Sequence, residues 1–215
     1  MLIKWIVCCV PLTTRAEFAQ AQCQWTPLSK LDGFLGQIGG WNSREPEQAC
    51  ILACWRDQAA YNAFMQNMHD AISDASAQHK TYDAIQVMLA EMVFPMTGKT
   101  AGLVAALPQG GVLRVADCIV SAERQAHFEN VQRAVWTPAM AAADGMLGGA
   151  FSRVRAATPR YLVTSIWRDV AAHERYATIQ APILRQQADV EQDVQELRGY
   201  VVSLIPEWAV IPAQR

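Results

Sequence analysis

Apolar residues in this chain form short β-type runs separated by helix-type patterns, and the order of these segments is the same in both halves. In the first half, helices are predicted after Thr14 and from Asp57 into the mid-seventies. Four apolar runs there are predicted as strands, over residues 2–10, 34–41, 49–55 and 82–94. The pattern therefore predicts a βαββαβ unit.

One motif occurs twice, at the joint between a strand and a helix. The apolar run 51–55 ends in Trp55-Arg56-Asp57, and the run 162–167 ends in Trp167-Arg168-Asp169. An Ala-rich helical pattern follows each of them. Because a short carboxylate can accept bonds from the first free backbone N–H groups of a helix, Asp57 and Asp169 are predicted as N-caps.

Other landmarks recur in the same order, at offsets of 110 to 112 residues. They are Phe18 and Phe128, Trp25-Thr26-Pro27 and Trp136-Thr137-Pro138, Asp32-Gly33 and Asp144-Gly145, and Leu35-Gly36 and Leu147-Gly148. Such ordered matches predict an internal duplication. We expect a first domain over residues 1–96, a linker over 97–110 and a second, diverged domain over 111–215.

The strands carry apolar residues on both faces, so each predicted sheet needs cover on two sides. A βαββαβ unit places both helices on one face of a four-stranded antiparallel sheet. The other face would be left in water, yet Ile3, Trp5 and Val7 alternate with Leu2, Ile6 and Cys8. We therefore expect an α+β fold in which tandem ferredoxin-like βαββαβ repeats pack their sheets face to face as an intramolecular, pseudo-dimeric α/β barrel.

Composition excludes several classes of function. Eighteen basic and twenty acidic residues form no field that would attract nucleic acid, and no apolar run reaches membrane-spanning length. Residues 1–10 are predicted as a first strand rather than a signal peptide. The six cysteines make no Cys-x-x-Cys pair, and five lie in the first half, which indicates reduced thiols and a cytoplasmic protein.

The first half, over residues 1 to about 95, resembles the uncharacterised YdbC-like family of bacterial proteins. The matching segments are 1–5 (MLIKW), 33–41 (GFLGQIGGW), 64–65 (FM), 69–70 (HD) and 81–85 (TYDAI). The order of elements resembles the wider dimeric α/β-barrel superfamily that includes antibiotic-biosynthesis monooxygenases. This resemblance implies the barrel fold, and it implies no settled activity.

His69-Asp70 is the leading candidate for chemistry. His69 shares a helical face with Met65 and Ile72, where a histidine could act as general acid or base near neutral pH. The second half has Ala181-Pro182 at the equivalent place, so the site would exist once per chain. A structural histidine, bonded to backbone or to a neighbouring carboxylate, is the alternative interpretation.

The second candidate feature is the glycine-rich strand around Gly36, Gly39 and Gly40, since glycine weakens a strand interior. These glycines mark either a bulge or room for a ligand under the helices. Gln37, Trp41 and Tyr82, together with Met65, are the residues expected to shape and polarise such a space. Trp25 and Trp55 recur in the second half and are expected in the core.

Metal and haem sites have little support in the sequence. His69 and His79 lack the spacing of helical metal ligands, and neither half has the Trp and His ten residues apart of haem-degrading relatives. We therefore expect no cofactor and no metal.

The hypothesis is a cofactor-independent, monooxygenase-like enzyme or binder of a small apolar or aromatic compound. His69 and Asp70 would be its catalytic residues. Alternatives are a non-catalytic ligand-sensing or interaction module and, third, a haem or metal binder. As partners we expect a small-molecule ligand but neither nucleic acid nor membrane. The chain would be a monomer with an internal pseudo-dimer, with further self-association left open.

Overall fold

A computed structural model describes residues 1–156 and 158–213 of the chain. Residues 157, 214 and 215, which fall in the predicted second domain, lie outside the described residues. The strands are β1 Leu2–Cys9, β2 Phe34–Asn42, β3 Gln48–Trp55, β4 Ala84–Thr97, β5 Val112–Val120, β6 Met146–Val154, β7 Arg160–Trp167 and β8 Val194–Leu204. The α-helices are α1 Arg15–Gln22, α2 Gln58–Asn67, α3 His69–Ser76, α4 Leu103–Ala106, α5 Gln125–Val131, α6 Thr137–Ala141, α7 Val170–Arg175, α8 Ala181–Gln187 and α9 Val190–Asp193.

The eight strands are hydrogen-bonded in the order β1-β3-β2-β8-β5-β7-β6-β4, a closed barrel. The pairs β1–β3, β2–β3, β2–β8, β4–β6, β5–β7 and β6–β7 are antiparallel. Each half follows the predicted order of strands and helices. The mixed fold with a barrel is therefore confirmed, whereas the duplication behind it stays a prediction.

The chain forms two compact units whose bounds differ from the predicted domains. One unit comprises residues 1–89 and 202–215, and the other comprises residues 90–201. The bounds differ because the last strand of each half is long, so that β4 divides after Leu89 and β8 divides after Val201. The segment 97–110, expected as a linker, contains α4, which packs on β6 with Leu103 and Ala106 buried.

In the first unit, β3 lies between β1 and β2, and β2 also pairs with the end of β8. The core on the helix side joins Leu2 and Trp55 of the sheet to Tyr61 and Phe64 of α2 and Ile72 of α3. A second cluster surrounds Phe18 of α1 and Trp208 of the C-terminal segment. These two clusters form the walls of the cavity described below.

In the second unit, β7 lies between β5 and β6, and β6 also pairs with the end of β4. Its core is one aromatic cluster in which Phe151 stacks on Phe94 and on Tyr161, with ring centroids 4.9 and 5.1 Å apart. Phe128 of α5 packs against both Phe151 and Tyr161.

The joint between strand and helix is built alike in the two units, as its repeated motif predicts. Asp57 accepts a bond from the backbone N–H of Ala60 at 2.8 Å, and Asp169 accepts one from Ala172 at 2.7 Å. Both N-caps are therefore confirmed, and each satisfies a backbone donor that the helix itself leaves free.

Two local details of the first unit bear on the sequence-based expectation: the first differs from it, and the second makes it more specific. The second helix breaks at Met68, whose φ of −132° separates α2 from α3, so that His69 begins a new helix. The glycine-rich strand has its predicted bulge between Phe34 and Gly36, where φ of Gly36 is +140°. Gly39 leaves room for protein rather than ligand, because a Cβ there would lie 2.9 Å from the carbonyl oxygen of Cys50.

Candidate functional site

A cavity of about 370 Å³ lies in the first unit, between the sheet and the helices. Its floor is made by β1 and β3, and its walls come from α1, the 3₁₀ segment Cys23–Lys30, α2 and α3. Aromatic side chains of Phe18, Trp25, Trp55 and Phe64 supply much of its surface. A volume of this size and an apolar lining with a few polar groups are typical of a small-molecule site.

His69 lines this cavity at the start of α3. Its ring lies between Trp25 and Phe64, with centroid distances of 5.7 and 5.6 Å. Its Nδ1 is 2.8 Å from Oδ1 of Asp70, and the side chains are 25% and 88% exposed, respectively. Because an ionised carboxylate only accepts, Nδ1 carries the hydrogen of this pair and Nε2 of a neutral ring keeps its lone pair.

Four of the six predicted site residues come together at the cavity: His69, Gln37, Tyr82 and Met65 all line it. Asp70 contacts His69 but does not line the cavity. Gln37 lies on β2 with its side chain buried, and Tyr82 lies just before β4. The tyrosine packs edge-on against Phe18, with ring centroids 6.4 Å apart.

Trp41 is not among the residues that line the cavity. Its ring packs against Phe18 at 5.8 Å and Trp208 at 5.3 Å, and the guanidinium of Arg15 lies 3.8 Å from its centroid. Trp41 therefore packs against Phe18, which itself lines the cavity. Where a contact with a ligand was predicted for Trp41, the structure has packing contacts. The reason is that Trp41 follows the bulged and glycine-rich part of β2 and faces the C-terminal segment.

Lys4 is a cavity residue that the sequence interpretation missed. It lies in β1, only 8% exposed, and its ammonium is 5.5 Å from the ring centroid of Tyr61 and 6.0 Å from that of Phe64. Burial lowers the pKa of Lys4 to about 8. A lone lysine inside an apolar strand could have signalled this position, since a lysine is almost never fully buried unless it is paired.

A chain of amide and indole groups was missed as well. Trp25 donates from Nε1 to Oε1 of Gln78, and Gln78 donates from Nε2 to Oε1 of Gln22, each at 2.8 Å. Gln22 and Gln78 are buried and line the cavity. These bonds fix Trp25 against His69, and no sequence motif indicates them because Gln78 is distant along the chain from Gln22 and Trp25.

The cysteine and the tyrosines that line the cavity are uncharged at neutral pH. Burial raises the pKa of the Cys8 thiol to about 12, and it raises the pKa of Tyr61 and of Tyr82 above the usual value. A thiol held in its protonated form is a poor nucleophile, so Cys8 is not suited to covalent catalysis.

The second unit contains a cavity of only about 40 Å³ at the corresponding place. It is lined by counterparts of the first-unit residues, among them Arg114 for Lys4, Phe128 for Phe18, Trp136 for Trp25 and Arg185 for Ser73. The second half therefore keeps the position of the cavity but little of its volume.

The described ranges 1–156 and 158–213 contain neither a metal-binding cluster nor a membrane-spanning helix. No three His, Cys, Asp or Glu side chains there lie close enough together to hold a metal ion. No helix in the same part of the chain has the length and apolar character needed to cross a membrane.

Solved structures share this fold along nearly the whole chain. A candidate monooxygenase from Lactobacillus acidophilus NCFM superposes with a TM-score of 0.73 and 12% identity, covering 98% of this chain and 95% of that one. An anthrone oxidase-like protein superposes with a TM-score of 0.72 and 11% identity, covering 95% and 91%. At such identities these likenesses establish the fold and leave the reaction open.

The first half has a closer relationship. Residues 2–90 match the model of a domain of unknown function, DUF4937. The uncharacterized protein YdbC of Bacillus subtilis (strain 168) is 40% identical over 93 residues, which cover 42% of this chain and 78% of YdbC. Through its first half, the chain therefore belongs to the YdbC-like family.

Proposed function

We propose that the first-half cavity binds a small, largely apolar or aromatic compound and that His69 moves a proton on it. The reaction would be a monooxygenase-like one that needs no cofactor. The observation that carries this proposal is the open cavity of about 370 Å³ whose aromatic wall contains one histidine held by a carboxylate. The fold shared with the monooxygenase-like proteins supports it as an analogy.

His69 is suited to be the base because its surroundings fix the ring and leave one nitrogen available. Trp25 and Phe64 hold the ring from two sides, and Asp70 accepts from Nδ1. Nε2 can then take a proton from an acidic C–H or O–H group of the substrate. Asp70 would stabilise the imidazolium that forms and would thus act as a positioning residue.

The other predicted residues would shape the site. Gln37 and Tyr82 offer polar groups to the substrate, and Met65 adapts its flexible side chain to an irregular apolar surface. Removal of a proton makes an aromatic substrate electron-rich, so that dioxygen can react with it directly. One oxygen atom would enter the product and the other would leave as water, with the substrate supplying the electrons.

The test compares His69→Ala with His79→Ala in the full-length chain. His79 also lines the cavity, but its side chain is exposed, so it controls for the loss of a histidine as such. Compounds that co-purify with the protein would be identified first and then offered back with dioxygen. We expect His69→Ala to abolish oxygen uptake and leave the melting temperature within a few degrees, and His79→Ala to keep the uptake.

Three results would contradict the proposal. A large loss of stability in His69→Ala would favour the structural histidine. Binding without turnover would favour a ligand-sensing module, and a visible absorption band in the purified protein would favour a haem or metal binder.

The cysteines support a proposal about the compartment. All six are free thiols, and four of them are buried, namely Cys8, Cys50, Cys54 and Cys118. We propose that the protein works in the reducing cytoplasm. Recovery of unmodified Cys9, the exposed thiol, from freshly lysed cells by alkylation and mass spectrometry would test this.

A further inference from the structure

We infer that the ligand of this cavity is an anion, an aromatic compound with one carboxylate or phenolate oxygen that binds the ammonium of Lys4. This inference rests on the proposed function and makes its substrate class specific. It depends on the donors that the floor of the cavity presents.

Lys4 is a buried cation without a partner of opposite charge. No carboxylate among the described residues forms an ion pair with it, and the groups nearest its ammonium are the rings of Tyr61 and Phe64. Removing an ammonium from water costs several kcal/mol unless a counter-charge or hydrogen bonds offset it. At pH 7 the side chain is mainly protonated, since its pKa is about 8. A ligand anion would supply the missing counter-charge.

Two more donors in the same floor lack an acceptor. In the antiparallel register Lys4 lies opposite Ala53, and Gln37 lies opposite Ala53 from the other side, so the three form one cross-strand row. Trp55 lies two residues further along β3 on the same face. Among the described residues, Nε2 of Gln37 and Nε1 of Trp55 have no hydrogen-bond acceptor, and both side chains are buried.

The amide oxygens of Gln22 and Gln78 are already used as acceptors. Oε1 of Gln78 accepts from Trp25, and Oε1 of Gln22 accepts from Gln78. Buried donors without acceptors cost about 1–3 kcal/mol each. Because the three donors belong to residues that line one apolar cavity, a ligand that brings acceptor oxygen fits it, and the charge of Lys4 favours an oxygen that is negative.

The groups around Lys4 do not provide that negative charge. Cys8 lies further along β1 and Tyr61 projects from α2, and the pKa of each is raised by burial. Tyr82 likewise has a raised pKa, and the other titratable groups that line the cavity are His69 and His79. None of these side chains is an anion at pH 7, so the place of the counter-charge is left to the ligand.

In the second half, the indole donor next to the equivalent cross-strand row has an acceptor within the protein. Trp167, the counterpart of Trp55, donates from Nε1 to Oγ of Ser165 at 3.0 Å. Ser165 stands where the first half has Ala53, and Gly149 stands where it has Gln37. The cavity there is only about 40 Å³. At this position the second half therefore satisfies its indole donor with protein, whereas Nε1 of Trp55 in the first half has no acceptor among the described residues.

The experiment measures the affinity of two matched probes, 1-naphthoate and the uncharged 1-naphthamide, by calorimetry at pH 7 with the full-length protein. We expect naphthoate to bind at least about tenfold more tightly, as a desolvated charge pair implies. Lys4→Met should bring the two affinities to within about threefold. The control Lys80→Met, which removes an exposed charge near the cavity, should keep the preference.

A second measurement needs no variant, in case Lys4→Met does not fold. Raising the pH from 7 to 9 neutralises Lys4 while both probes keep their charge, so the preference for naphthoate should decline in the wild type. Equal affinities at pH 7, or a preference that survives in Lys4→Met, would overturn the inference and leave the proposed function standing. Failure of both probes to bind would overturn the two together.

Discussion

The two halves of this chain share a frame but not a cavity. The frame includes the N-caps Asp57 and Asp169 and the ion pairs of Arg56 with Asp32 and of Arg168 with Asp144. Each of these arginines lies directly after its strand, β3 or β7, and binds an aspartate in the loop just before β2 or β6. Yet the cavity is about 370 Å³ in the first half and about 40 Å³ in the second. The frame therefore does not require the cavity.

The difference comes from individual side chains at equivalent positions. Arg185 in the second half replaces Ser73, so a longer side chain lines the same space. Ser165 replaces Ala53 and pairs with the indole of Trp167. At these equivalent positions the second half has a small cavity and an indole that is satisfied by protein, whereas the first half has a larger cavity and leaves Nε1 of Trp55 without an acceptor among the described residues. Packing of this kind stabilises a fold, and the unfilled half is the one suited to bind.

The largest expected effect is the loss of stability at high pH that the buried thiols cause, and these thiols are unequally divided between the halves. Burial raises the pKa of Cys8, Cys54 and Cys118 to about 12 and raises that of Cys50 further, and three of the four lie in the first half. Below pH 9 the thiols are protonated in both states. Above pH 9 they ionise only in the unfolded chain, so stability is lost as the pH rises. Between pH 9 and 10 this loss is about 1 kcal/mol per thiol, about 4 kcal/mol in all.

Urea unfolding at pH 8, 9 and 10 measures this loss. The triple variant of Cys8, Cys50 and Cys54 to Ala should remove about three quarters of the pH dependence, and Cys118→Ala should remove about one quarter. Lys4 opposes the trend by about 1 kcal/mol, because its folded pKa is lowered. A pH dependence unchanged by the triple variant would mean that the buried thiols of the first half are not its source.

The next largest expected effect is the change in stability when Lys4 is replaced. Its counterpart in the second half is Arg114. The folded pKa of Lys4 is about 8, below the usual 10.5, so the unfolded chain binds the proton more tightly and the burial penalty is largest below pH 8. Lys4→Met should therefore stabilise the protein by about 3 kcal/mol at pH 7. The gain should shrink as the pH rises through 8 and vanish by about pH 10.5.

Denaturant unfolding of the wild type and Lys4→Met from pH 7 to 10 measures this gain as a difference, in which the thiols cancel. The control Lys80→Met should change stability by no more than about 0.5 kcal/mol. A loss of stability in Lys4→Met at pH 7 would show that Lys4 has a partner inside the protein, and it would also contradict the anion site.

The comparison shows which features a sequence can predict. The frame is local: Trp55-Arg56-Asp57 predicts a strand end and an N-cap within a few residues, and the structure confirms it. The cavity is not local, because Gln22, Trp25 and Gln78 meet only after folding. His69 was identified because its counterpart, Ala181, cannot do the same chemistry, whereas the exchange of Lys4 for Arg114 keeps the charge and gave no such contrast.

The first and last residues of the strands and helices were also harder to predict than the strands and helices themselves. The last strand of the first half extends to Thr97, so a strand stands where the linker was expected to begin. The pattern of β4 includes Pro95, a poor strand former, and pairing with β6 overrides that local preference. The break at Met68 likewise has no helix-breaking residue, although the side chain of Asn67 donates to the carbonyl of Ala63.

The smallest expected effect is the change in stability when one serine hydroxyl is removed from the second half or added at the equivalent position of the first half. Ser165→Ala should leave Nε1 of Trp167 without an acceptor in a fully buried core, which destabilises by about 1–3 kcal/mol. Ala53→Ser should give Nε1 of Trp55 the acceptor that it lacks and should stabilise by about 0.5–1.5 kcal/mol. Thermal unfolding of both variants, with the fluorescence of the tryptophans as a second probe, measures these changes.

The Ala53→Ser variant also bears on the ligand. Its hydroxyl would lie between Lys4 and Gln37 in the cross-strand row and compete for the donors that we assign to the anion. We therefore expect it to weaken the binding of naphthoate by about threefold while naphthamide changes less. If Ala53→Ser gains stability and naphthoate binds as before, the donors of the row serve the fold alone. The two halves would then differ in how their side chains pack, and the donors of the row would not distinguish them in ligand binding.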